Sequence, residues 1–128
     1  MNQLTCAEAQ QALRAIHGMQ DKTEKAREKF KPGTSQHTLL TNRLEALKLS
    51  AILLADGQAG PEEGRHVSPE ALKRAVAPIT SLISKSEKAL GKTSPGTWQH
   101  GMLTENLQAL RRVLPLLTEA SGRGHSHG

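Results

Sequence analysis

Apolar side chains recur along this chain every three or four positions. Ala9, Ala12/Leu13, Ile16 and Met19 form a first stripe, and Leu40, Leu44, Leu47, Ala51 and Leu54 form a second. A third follows at Leu72, Ala75/Val76, Ile79 and Leu82, and a fourth at Leu103, Leu107, Leu110, Leu114 and Leu117. Such intervals gather the apolar residues on one face of an α-helix, whereas a half-buried strand alternates with period two. No stretch alternates in that way, and Ala, Leu, Lys, Glu and Gln, all good helix formers, are abundant. The pattern predicts an all-α protein of four helices. Stripes two and four step by 4, 3, 4 and 3 residues, the seam expected where antiparallel helices pack in a bundle.

The punctuation between stripes agrees. Thr5-Cys6-Ala7-Glu8 reads as a capping box, with the Thr hydroxyl accepting a free backbone N–H and Glu8 reaching back. Ser68-Pro69-Glu70 reads as an N-cap followed by proline at the first helical position. Pro32-Gly33 and Pro95-Gly96 end the first and third helices, and Thr34 and Thr97 stand ready to cap the second and fourth. Pro78 and Pro115 fall inside the third and fourth stripes and are expected to kink those helices or remove a turn.

A shift of 63 residues brings the two halves into register. Residues 22–47 and 85–110 then agree without gaps at 15 of 26 positions, including Pro-Gly-Thr-x-Gln-His, Leu40/Leu103 and Leu44/Leu107. Internal similarity at a fixed offset decides architecture before anything else does. The chain therefore divides into a helical hairpin over 1–54, a linker over 55–67, a second hairpin over 68–119 and a disordered tail over 120–128. One hairpin cannot bury its own stripe. Two can, so the expected fold is a tandem-duplicated hairpin forming a pseudo-two-fold four-helix bundle, either alone or within a homo-oligomer.

Composition narrows this little. The 128 residues suit one compact domain or two very small ones, and with Phe30 and Trp98 as the only aromatics the core must be aliphatic. Cys6 is the sole cysteine, no signal-like leader opens the chain and no apolar run is long enough to cross a membrane, so a cytoplasmic protein is expected. Charge is more informative. Residues 1–63 carry eight basic and eight acidic side chains, while residues 64–128 carry nine and four and hold the whole net +5. That excess favours anionic partners.

The candidate chemistry lies in the duplicated break. Pro, Gly and Thr are accounted for by stopping one helix and starting another, but Gln36-His37 and Gln99-His100 are not. They fall in the first helical turn, where free N–H groups and the helix dipole favour anions and disfavour a histidine cation. Keeping Gln-His there, beside Lys29, Lys31 and Lys92 and with Arg43 about two turns further on, suggests that negative charge arrives from outside. The candidate ligand-binding residues are thus Thr34, Gln36, His37, Arg43, Thr97, Trp98, Gln99 and His100, flanked by Lys29 and Lys92. Trp98 could stack on a base or ring, or anchor the core or an interface. The alternative is that Gln and His only fix the packing of the opposite hairpin, which makes the chain a scaffold or protein-interaction bundle.

Other chemistries find less support. His125 and His127 could hold a transition metal loosely, yet a flexible tail fixes no geometry, so no metal site and no cofactor are expected. Paired carboxylates, a nucleophile elbow, a phosphate-cradling Gly-rich loop and a Cys–His pair are all missing, so no catalytic residues are assigned and the chain reads as non-enzymatic. Lys73-Arg74 and Arg111-Arg112 are basic pairs of the kind found on solvated helix faces, which leaves nucleic acid as a second, weaker alternative.

The segment PGTSQHTLLTNRLEALKLSAILLA resembles short bacterial and prophage helical-hairpin proteins with a Gly-Thr-x-Gln-His turn before a Leu-rich helix. The likeness rests on Gly33, Thr34, Gln36, His37, Leu40, Arg43 and Ala46-Leu47; the second copy has Asn106 in place of Arg43. More loosely, the hairpin is similar to those of phage sponge proteins. That resemblance implies an oligomeric helical bundle without catalysis, sequestering a cyclic nucleotide or related immune signal between helix ends as an anti-defence device. The tandem duplication departs from a single-hairpin sponge.

Overall fold

The computed structural model describes residues 6–59 and 69–123. They form four α-helices: α1 Cys6–Arg27, α2 Ser35–Ala59, α3 Pro69–Gly91 and α4 Trp98–Arg123, with no strand among the described residues. The all-α four-helix architecture is the one the periodicity predicts.

Cross-helix contacts fix the direction of each helix. Glu8 near the start of α1 pairs with Arg112 of α4 at 3.5 Å, while Lys22 near its end reaches Met102 at 3.3 Å. Helices α1 and α4 therefore run antiparallel. Arg27 donates to Thr41 across the first hairpin at 3.4 Å, and Arg111 pairs with Glu87 across the second. Each helix packs on its two neighbours in the cycle α1–α2–α3–α4, and α2 also meets α4 across the centre. With every neighbouring pair antiparallel, both Pro-Gly turns come to the same end of the bundle.

The core is aliphatic, as expected from a chain with two aromatics. Ile16, Leu44, Leu47, Leu54, Ile79, Leu110, Val113 and Leu117 are essentially excluded from solvent. Burying each contributes about 1.5 to 3 kcal/mol by the hydrophobic effect. Ala46 and Ala109, small and fully enclosed, let α2 and α4 approach. Position 50 carries the one polar interruption at the centre: Ser50 is buried where the second copy has Val113, and its hydroxyl is satisfied by donating to the Ala46 carbonyl at 2.8 Å. Thr23 and Ser86, also 63 residues apart, are likewise buried.

Several expectations need correction. Helix α2 continues to Ala59, five residues into the segment 55–67 read as linker, and α4 continues to Arg123, into the tail expected to begin at 120. Asp56, Gly57, Ser121 and Gly122 are poor helix formers, so the extra turns reflect extension of an already formed helix, which adds one backbone bond for each residue fixed. Pro78 and Pro115 end neither helix: α3 and α4 continue through them. Each removes one backbone donor, but Ile79, Val113 and Leu117 beside them are fully buried and hold the flanking turns in place. Ala51, Leu103 and Leu114 of the leucine seams are only half-buried. The proposed caps at Thr5 and Ser68, and the His125/His127 pair, lie outside the described residues.

Candidate functional site

Both turns share one backbone geometry and one set of capping hydrogen bonds. Gly33 and Gly96 have φ of 95° and 90°, the left-handed region that an L side chain enters only with strain. The chain then turns into a new helix at Thr34 or Thr97. Each threonine hydroxyl donates back to the carbonyl three residues earlier, Lys31 or Ser94, at 2.8 Å. The same oxygen accepts the backbone N–H of His37 or His100 at 3.2 Å. Thr34 and Thr97 are therefore committed N-caps rather than free ligand donors.

What the caps leave over is the candidate site. The backbone N–H groups of Ser35 and Gln36, and of Trp98 and Gln99, occupy the first two helical positions, where an α-helix offers no internal acceptor. No acidic side chain stands in the first turn of α2 or α4. Gln36 and Gln99 are exposed, and His37 and His100 are half-buried. Neither imidazole is hydrogen-bonded to a carboxylate among the described residues. Lys29 and Lys92 are exposed on the incoming loops. Trp98 is 75% exposed, so it is not a core anchor.

Arg43 does not belong with these residues. Eight positions beyond Ser35, it lies about 12 Å along the α2 axis at 1.5 Å per residue. It lines a groove of about 460 Å³ between α2 and α3, together with Leu39, Ala46, Leu49, Arg74 and Pro78. Its Nε is buried without a partner, and burial lowers the guanidinium pKa from its ordinary value. None of the Gln-His residues lines this groove. A smaller hollow of about 200 Å³ lies between α1 and α4, bordered by Arg14, Lys22, Met102 and Asn106.

The structure thus brings the two turns to one end and separates Arg43 from them. Sequence reasoning missed Arg74 and Leu39 as groove residues. A signal was present: Leu39, Arg43 and Ala46 follow one another at helical intervals beside the leucine seam, a second face of α2 for α3 to meet. Among the described residues no group of three or more His, Cys, Asp or Glu side chains could hold a metal ion, and no helix is long and apolar enough to cross a membrane. In comparisons with known proteins, the chain matches no family model, no curated protein and no solved structure.

Proposed function

We propose that this chain is a non-enzymatic binding module that takes a phosphorylated or nucleotide-like anion at the end of the bundle carrying both Gln-His turns. The observation that carries this reading is the shared location of two first turns with open N–H groups, no carboxylate and exposed Gln side chains. Backbone N–H groups at a helix start and the positive end of its dipole favour phosphate oxygens. Lys29, Lys31 and Lys92 add positive charge on the loops beside them, opposed there by Glu28 alone. Gln36 and Gln99 supply neutral donors, His37 and His100 supply ring nitrogens, and Trp98 offers a face on which a base can stack. Sequestration of an immune signalling nucleotide by a cytoplasmic oligomer is the narrower form of this reading, resting on the resemblance alone.

Isothermal titration against a panel of nucleotides and cyclic nucleotides tests it. At least one should bind the wild-type chain, and the double variant His37→Ala/His100→Ala should bind it about tenfold or more weakly, the loss of one to two charge-assisted hydrogen bonds. Equal binding by both proteins, or binding by neither, removes the proposal.

One observation favours the scaffold reading instead: a Trp exposed over three quarters of its surface resembles an interface anchor. Under that reading Trp98→Ser abolishes self-association or partner capture and leaves the nucleotide titration flat. Nucleic-acid binding would declare itself by an affinity that falls steeply with salt.

A further inference from the structure

The α2–α3 groove is a second candidate, independent of the reading of the turns. Its walls are apolar, made by Leu39, Ala46, Leu49 and Pro78, and two guanidinium groups stand on them, Arg43 and Arg74. Glu45 is the single acidic side chain on its border and is exposed. Neither arginine makes a hydrogen bond or ion pair among the described residues, although the three ion pairs formed elsewhere engage Lys25, Arg111 and Arg112. A half-buried arginine with its Nε enclosed and unpaired is costly in a free protein, because that donor has lost water and gained nothing. Pro78 has no N–H, so the Arg74 carbonyl four residues earlier lacks its usual helical donor.

The corresponding hollow on the other side of the bundle, between α1 and α4, shows that the sequence can close such a space. At the positions 63 residues away, Arg43 gives way to Asn106, Leu39 to Met102, and Ala77 of the groove to Arg14. There Lys22 reaches across to Met102 and the space shrinks to less than half. On the α2–α3 side the short Ala77 leaves it open, with an unpaired cation inside.

We infer that the groove binds a small amphipathic carboxylate, its anionic head on Arg43 and Arg74 and its apolar body along Leu39, Leu49 and Pro78. A planar carboxylate matches the guanidinium fork in two parallel hydrogen bonds, and the apolar walls accept a hydrocarbon tail that a nucleotide does not have. The volume suits a small ligand rather than a protein segment.

Decanoate is the probe, with decanol as its uncharged counterpart, and binding to the full chain is followed by amide chemical shifts. Decanoate should shift residues of α2 and α3 that line the groove and should bind about tenfold or more tightly than decanol. Arg43→Met should abolish that preference while raising the melting temperature of the free protein by about 2 to 5 °C, since it removes an unpaired, partly desolvated charge. Ala77→Leu narrows the groove, beside Arg74 but with both guanidinium groups retained, and should weaken both probes, which keeps the test decisive if the Arg43 variant misfolds. Absence of binding, equal affinity for decanoate and decanol, or shifts outside α2 and α3 would overturn the inference. So would sedimentation showing a dimer that Ala77→Leu dissociates, because a second copy would then be the occupant.

Discussion

Two pairs of sites in this molecule are related by the same 63-residue shift, and they differ in opposite ways. The turns at Gly33-Thr34 and Gly96-Thr97 agree in backbone angle, in capping hydrogen bonds and in the Gln-His that follows. The α2–α3 and α1–α4 hollows agree in position but differ in volume by more than a factor of two and in nearly every side chain that matters. A turn has few solutions: positive φ calls for glycine, and the helix start calls for a short hydroxyl. A groove wall has many, and there the two halves have exchanged Arg for Asn and Arg for Ala. Near-identity at the turns is thus explained by geometry up to Thr, and only Gln-His asks for a further reason. Divergence at the grooves marks where the two sides of the bundle differ in volume and in the charges that line them.

Substitutions at related positions can break or sharpen this comparison. The largest effects belong to the core, where the halves should be equivalent. Leu47→Ala and Leu110→Ala each empty a fully enclosed site and should each cost about 2 to 5 kcal/mol in denaturant unfolding. A difference between them well beyond that spread would mean that the hairpins do not share one core. Next come the turns. Gly33→Ala and Gly96→Ala force a side chain into positive φ with no steric neighbour nearby, so backbone strain alone should cost about 1 to 2 kcal/mol at each.

Smaller still are the caps: Thr34→Ala and Thr97→Ala should each lose about 1 kcal/mol, read from thermal or urea melts. Arg43 gives the smallest effect, with the sign reversed. Its pKa is lowered by burial, so the folded state holds the charged form at a disadvantage. That disadvantage is fully present at every pH below the lowered value and is relieved only as pH rises through it, in the alkaline range. The stabilisation by Arg43→Met should therefore be the same at about pH 6 and about pH 8. An offset that changes between those values would assign the effect to another titrating group.

Much of the fold was legible because helix period and breakers are local. The four stripes, the Pro-Gly stops and the Thr caps all followed from residues within a turn or two of one another. The helix ends at Ala59 and Arg123 were not, because a helix once formed can extend past its apolar stripe, each added residue bringing its own backbone bond. That α3 and α4 run on through Pro78 and Pro115 was not legible either: a proline's local cost is set against burial that only the packed bundle supplies. The candidate site divides in the same way. The turn residues were found from their repetition, whereas assigning Arg43 to them treated distance along the helix as if it were proximity. Its membership in the groove depends on α3, and Arg74 and Leu39 acquire meaning only once α3 lies beside α2.

The account's central claim is that the two turns form one anion-recognising end. Amide chemical shifts recorded while the ¹⁵N-labelled full chain is titrated with a cyclic nucleotide test it most directly. The account predicts that the amides of Ser35, Gln36, Trp98 and Gln99 move together and saturate, with no comparable change in the groove of Arg43. Shifts confined to scattered lysines, or none at the two helix starts, would contradict it.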